Sequence, residues 1–335
     1  MKKIPILTLL LLPMTARGFL QLGIARRWTF LRQVSSSTAS ATDAPSLDSL
    51  RKFNGTVTIL DHGADHLVVA KPPSVLCHHS DWAGSRSQKQ NKKRQEPEIP
   101  MLQRVRNALG ERVNVIHRLD RGCSGCLLFA HASSENATAI LSKAMALPST
   151  TKTYLALVRG EGILHGRDFR QEEWFPIDRP IKNERGTINN ATTHFNFIAG
   201  QDSITNPNQP RASLVLARPS TGRWHQIRRH LNGLSHPILG DSTHGNTKVN
   251  REWRNRGMPY ERTCLHLIRL QMEPNEVVPN GLDVHCPLPS DMMDLLEQHL
   301  PQVLQEAEPL VAKEGIHLRP DTDSAKDLPY EVFIE

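Results

Sequence analysis

Apolar positions along the chain fall into short runs whose period changes several times. From Val57, VTIL, a polar DHGAD and then LVVAKPP (Leu67 to Pro73) predict two strands around a turn, the paired prolines ending the second. Leu102, Val105 and Leu109 then recur at helical spacing, with Gly110 as the stop signal. VNVIHRL (113–119) and the segment running through Phe129 read as strands separated by a polar turn at Asp120. The next helix is expected to begin at Ser133 or Ser134 and to carry Ala137, Ile140, Leu141 and Ala144. KTYLALVR (Lys152 to Arg159) is apolar on both faces, as a strand interior to a sheet must be. Further strands are expected over 193–199, 212–218 and 264–272. HQIRRHL forms a helix after Thr221-Gly222, and Pro289-Ser290 opens a terminal helix with Met293, Leu296, Leu300 and Leu304 inward. Strands and helices mix without the regular alternation of a doubly wound sheet, and neither a Gly-rich phosphate loop nor an internal repeat is visible. The pattern predicts an α+β domain on a large, mainly antiparallel or mixed sheet flanked by helices.

Charge changes this picture less than its total implies. The net charge is +7 over 335 residues, but residues 1–42 hold six Lys or Arg and no acid. The rest has 35 basic and 34 acidic residues, so bulk charge is no argument for nucleic acid. Lys2 and Lys3 precede an apolar stretch from Ile4 to Met14 that is too short to span a bilayer. TARGF (Thr15 to Phe19) supplies small residues for cleavage, and Arg26, Arg27 and Arg32 lead into SSSTASAT. Residues 1–45 are therefore expected to be a targeting presequence, signal-like and then transit-like. That order fits a plastid surrounded by extra membranes, with the mitochondrion as the alternative, and no membrane partner for the mature form. Residues 55–305 would form the folded domain, and 306–335, acidic and Pro-containing, a disordered tail.

Arg86, Lys89, Lys92, Lys93 and Arg94 make 81–98 a basic loop, either solvated or contacting phosphate. Five cysteines form no disulfide-like framework. Cys123 and Cys126 are spaced C-x-x-C, but zinc needs two more ligands, and Cys264 with His266 or His285 with Cys286 lacks the spacing. No metal site is expected.

Three segments carry candidate chemistry. HRLDRGCSG (His117 to Gly125) holds one carboxylate, Asp120, between cations and glycines at the mouth of a strand. Alone it also reads as a polar turn with an incidental ion pair. Tyr154, in KTYLALVRG, is alone an ordinary strand aromatic. TGRWHQIRRHL (Thr221 to Leu231) puts Arg228 and Leu231 on one helix face. Its acid-free set of Arg218, Arg223, Arg228 and Arg229 around Trp224 suits a solvated surface or an RNA backbone with a stacking ring.

Together, and with LVVAKPP and HPILGD, these segments resemble the RluA-type pseudouridine synthases in order and spacing over about residues 55–300. RRHLNGLSHPILGDSTHGNTKVNR is most similar to the tRNA pseudouridine synthase C branch, which acts on uridine 65 of tRNA. The resemblance implies the pseudouridine synthase fold, a catalytic cleft across the sheet, and an RNA partner, tRNA first and rRNA second. It also implies a monomer that needs no cofactor or metal. Asp120 would be the catalytic carboxylate, adding to ribose or base or abstracting a proton. Arg228 would pair with it, and Tyr154, the third catalytic residue, would lie against the uracil and take the carbon-5 proton. Arg118 would fill the gap left by the flipped uridine. Lys71, His117, Arg223, Trp224, His225, Gln226 and Arg229 are the further RNA-binding candidates. Cys123 replaces a common Thr and Ala70 a frequent Asn. Two competing readings are a catalytically silent RNA-binding or ribosome-assembly protein and a hydrolase with paired carboxylates, for which Asp241 is the one available second acid.

Overall fold

A computed structural model describes residues 55–79, 98–201, 210–320 and 330–334. The expected presequence, and the basic loop apart from Glu98, lie outside the described residues. An eleven-stranded sheet organises the rest. Its strands are β1 (Gly55–His62), β2 (His66–Lys71), β3 (Val113–Val115), β4 (Ser124–His131), β5 (Thr151–Arg159), β6 (Phe175–Asp178), β7 (Thr192–Gln201), β8 (Ala212–Pro219), β9 (Leu265–Met272), β10 (Leu282–His285) and β11 (Tyr330–Ile334). The main path runs β11-β1-β2-β4-β9-β5-β8-β7-β6, with β3 on β4 and β10 on β9. Every pairing is antiparallel except β9 with β4. The mixed α+β expectation holds, and β5 is interior as its two apolar faces require.

That single parallel pairing positions the chemistry. It aligns Ser124 with His266 and Gly125 with Leu267, and Leu267 in turn faces Tyr154 on β5. The turn before β4 and the middle of β5 thus lie two strands apart in one row. Gly125 has φ +120°, and a Cβ there would fall 2.3 Å from the Leu267 carbonyl oxygen. A Cβ on Gly122 would meet Thr263 Oγ1 at 2.6 Å. These glycines admit the protein's own neighbouring segment.

Helices cover the sheet. In α1 (Met101–Leu109) Met101, Val105 and Leu109 face inward, with Met101 taking the place expected for Leu102, and Gly110 caps it at φ 68°. Helix α2 (Ala137–Met145) starts later than predicted, after Asn136 in a left-handed conformation. Helix α3 (Gln226–Gly233) follows His225, and α4 (Thr247–Asn255) was not foreseen, because KVNREWRN is almost wholly polar and only Asn250 and Trp253 are buried. The terminal helix is two: α5 (Ser290–His299) ends at Leu300 and Pro301 starts α6 (Pro301–Lys313).

The tail expectation needs correction. Val303, Leu304, Ala307 and Val311 form a buried stripe on α6, which packs on β7 and β8. Acidic composition concealed that helical period. Residues 330–334 then pair with β1 as an edge strand. Among the described residues no helix is long and apolar enough to cross a membrane.

Candidate active site

A cleft of about 860 Å³ opens where five loops meet. The Asp120 turn forms one wall, closed by a hydrogen bond from Cys123 N to the Asp120 carbonyl (3.0 Å). The turn is held from several sides. Lys71, fully buried, donates from Nζ to the carbonyls of Pro72, Arg121 and Cys123 at 2.9, 3.2 and 2.6 Å. Burial lowers its pKa to about 8. Cys77 Sγ bonds both the carbonyl and the N–H of Leu119. Arg121 pairs with Glu98 at 2.8 Å and Glu261 at 3.3 Å, and Thr263 N donates to the Gly122 carbonyl. A carboxylate held this firmly loses little entropy on meeting a ligand.

Helix α3 supplies its partner. Arg228 Nη1 donates to Asp120 Oδ2 at 2.7 Å. The same guanidinium makes a two-pronged contact with buried Asp241, Nε to Oδ2 and Nη2 to Oδ1, both 2.7 Å. Asp241 Oδ1 also accepts from the N–H groups of Thr243 and His244. Burial disfavours the Arg228 charge, but the Asp241 bonds and the two carboxylates outweigh it and raise its pKa. Burial likewise opposes the Asp241 charge, and Arg228 with those backbone donors holds its carboxyl below the usual range.

His225 Nε2 lies 3.7 Å from Asp120 Oδ2, while its Nδ1 shares a 3.0 Å hydrogen bond with His244 Nε2. Burial depresses the His225 pKa to about 4, so the ring is neutral at neutral pH. Both nitrogen groups approach Oδ2. Among the described residues Asp120 Oδ1 has no hydrogen-bond partner, and the side chain is 34% exposed. One oxygen is anchored and the other is free to act.

The remaining predicted residues separate into two groups. Arg118, Arg223, Trp224 and His225 line the cleft with Asp120 and Arg228. Trp224 is half-exposed, stacked on the His225 ring at 3.9 Å, with Arg229 5.9 Å from its centroid. Arg229 itself donates to the Lys182 carbonyl at the rim. Four other assignments are revised by their surroundings. Lys71 is spent on carbonyls of the turn. Gln226 is buried, its Oε1 accepting from Thr221 and Arg223 and its Nε2 donating to Thr192 and Thr193. His117 Nε2 accepts the Leu128 N–H (3.1 Å), which ties the ring to β4. Arg218 turns toward Glu314 (2.9 Å) and the Trp174 ring.

Tyr154 is the intermediate case. It packs on the core and is not among the cleft-lining residues, yet it lies near enough for Asp120 to matter. Burial first, then nearby Cys123 and Asp120, push its hydroxyl pKa well above the usual tyrosine value. It therefore stays protonated. All five cysteines are buried and free, and among the described residues no group of three or more His, Cys, Asp or Glu could hold a metal ion. Asp241, considered from the sequence only as a second acid for a hydrolase, is the buried partner of Arg228, and Arg254 and Tyr260, not singled out from the sequence, also line the cleft. The aspartate of HPILGD was the one signal that could have revealed the first.

The family model described as RNA pseudouridylate synthase matches residues 65–233, half of the chain. The chain belongs to that family. The match runs from the start of β2 through the Asp120 turn to the end of α3. Among curated relatives, tRNA pseudouridine synthase C of Pectobacterium carotovorum subsp. carotovorum is 35% identical over 220 residues, 62% of this chain and 53% of that protein. The namesake from Pasteurella multocida is 34% identical over 229 residues, 64% of this chain and 85% of that one. The matched region thus spans about half of the first relative and most of the second. Two solved human structures share the fold. RNA Pseudouridylate Synthase Domain Containing 1 has TM-score 0.51 and 24% identity, covering 74% of this chain and 94% of that one. Domain Containing 4 has TM-score 0.51 and 16% identity, covering 83% and 98%.

Proposed function

We propose that this chain isomerises a specific uridine of RNA to pseudouridine, with tRNA as the substrate class and Asp120 as the catalytic carboxylate. The N1–C1′ bond breaks, the uracil turns, and C5 bonds to C1′. C5 gives up its proton and N1 gains one, so no second substrate is consumed. One observation carries the reading: Asp120 presents an unbonded oxygen to a cleft while Arg228 anchors the other at 2.7 Å. A carboxylate so oriented can stabilise or attack a cationic sugar centre, or the base. Tyr154, packed on the core and held protonated, does not serve as a resident base. Arg118, Arg223 and Trp224 supply cations and a ring for the flanking RNA.

The relatives named tRNA pseudouridine synthase C support tRNA over rRNA. A catalytically silent RNA binder would have no use for the unbonded Asp120 oxygen that Arg228 leaves facing the cleft. Import into an organelle, a plastid in the first place, rests on the sequence of residues 1–45; a reporter fused to them tests it. The decisive test is enzymatic. Purified chain should form pseudouridine in unmodified tRNA transcripts carrying uridine at position 65, and Asp120→Asn should abolish formation while RNA affinity stays within a few fold. Unchanged turnover in that variant refutes the assignment.

A further inference from the structure

Tyr260 is 72% exposed, and Trp224 is 50% exposed. Among the described residues they are the exposed large aromatic side chains, and both line the cleft of Asp120. Each is wired to the Asp120 turn through its neighbour in sequence. Trp224 adjoins His225, 3.7 Å from Asp120, and Tyr260 adjoins Glu261, 3.3 Å from Arg121. A surface ring with no burial to gain is held there by a cation: Arg254 of α4 lies 4.2 Å over its centroid and donates from Nη2 to the Tyr260 carbonyl at 3.2 Å. Arg254 Nε is buried without a hydrogen-bond partner, and among the described residues no carboxylate pairs with this guanidinium. Thr247, Asn250 and Arg254 recur at helical spacing and put one face of α4 on the cleft.

We propose that Tyr260 and Arg254 form a second base-stacking subsite, which holds a nucleobase next to the target uridine while Arg254 takes its phosphate. The inference rests on the function proposed above and deepens it. A cleft of about 860 Å³ is near the top of the roughly 300–1,000 Å³ range of small-molecule pockets, so it has room for the target nucleotide and a neighbour. A ring rigidified by a cation, with unneutralised charge beside it, fits a base and its phosphate better than an apolar protein segment.

The test uses the full chain and tRNA transcripts with uridine 65, some carrying 4-thiouridine on either side of it. Tyr260→Ala should raise KM roughly five-fold or more, with the loss in KM and not in kcat, and Tyr260→Trp should restore most of it. Irradiation should crosslink a flanking 4-thiouridine to the peptide containing Tyr260. A KM within twofold of wild type in Tyr260→Ala, or crosslinks confined to other peptides, overturns the subsite. Retention of the same transcripts by Asp120→Asn with and without Tyr260→Ala gives the binding ratio independently of turnover. A wild-type chain that makes no pseudouridine would refute the proposed function, whereas this ratio still decides the subsite.

Discussion

Replacing Arg228 by Met separates what this residue does for the fold from what it does for the reaction. The substitution removes the two bonds to Asp241 and leaves that carboxylate, at 0% exposure, without a counter-charge. Orphaning one member of a buried pair costs about 3–5 kcal/mol. At roughly 2–4 °C per kcal/mol for a domain of this size, the midpoint should fall by about 6–20 °C. The double variant Arg228→Met/Asp241→Asn behaves differently. An Asn side-chain oxygen can still accept the Thr243 and His244 N–H groups, and no charge is left buried. It should recover most of the stability, to within about 1–2 kcal/mol of wild type. Activity should not follow. Losing the donor at 2.7 Å from Asp120 Oδ2 should lower single-turnover pseudouridine formation by about 10²–10³-fold in both variants. Thermal denaturation and single-turnover assays, run in parallel, read the two effects. A single variant as stable as wild type, or a double variant that regains activity, would refute the division of labour.

Two further outcomes follow from the turn itself. Gly125→Ala places a methyl group 2.3 Å from the Leu267 carbonyl at φ +120° and should destabilise by about 3 kcal/mol or more, read by urea denaturation; a loss under 1 kcal/mol would show that β4 and β9 can separate freely. His117 has its pKa lowered to about 4, first by burial, and its Nε2 must stay unprotonated to accept from Leu128. Between pH 6.5 and 4 the unfolded chain therefore binds more protons, so stability is complete above about 6.5 and declines as pH falls. From pH 7 to 5 this one residue should remove roughly 2 kcal/mol. His117→Gln keeps an acceptor that does not titrate and should flatten the pH dependence over that interval; an identical slope would show that His117 is not its source.

Much of this was legible in the sequence because local signals and tertiary role coincide. KTYLALVR is apolar on both faces, and β5 is indeed central. Gly110 stops a helix, and it sits there in a left-handed conformation. Asp120 stood out because a carboxylate among cations and glycines is poor packing material. The errors have one physical source, the inability of a residue type to announce its partner. Lys71, Gln226 and His117 have the chemistry of RNA ligands but spend it on backbone and side-chain groups within the fold. The acid-rich segment after Glu306 concealed the continuation of the helical period from Leu304 to Ala307 and Val311, whose burial depends on β7 and β8 far away in the sequence. Asp241 offered no local contrast, since its function exists only where Arg228 meets it.

The arrangement of one guanidinium between two carboxylates has a consequence for reactivity. Paired with Asp120 alone, Arg228 would form a neutral couple, and much of the attraction that Asp120 could exert on a cationic sugar centre would be cancelled. Asp241, buried and bonded twice by Arg228, already compensates that positive charge. Arg228 can then fix the direction of Asp120 through a 2.7 Å hydrogen bond while the triad keeps one net negative charge. That charge is expressed at the exposed end, because Asp241 has no access to solvent and Asp120 does. Neutral His225, the other group near Oδ2, adds no positive charge at neutral pH to undo this. The cluster therefore delivers an oriented carboxylate whose negative charge remains available at the cleft, which a two-member ion pair would not provide.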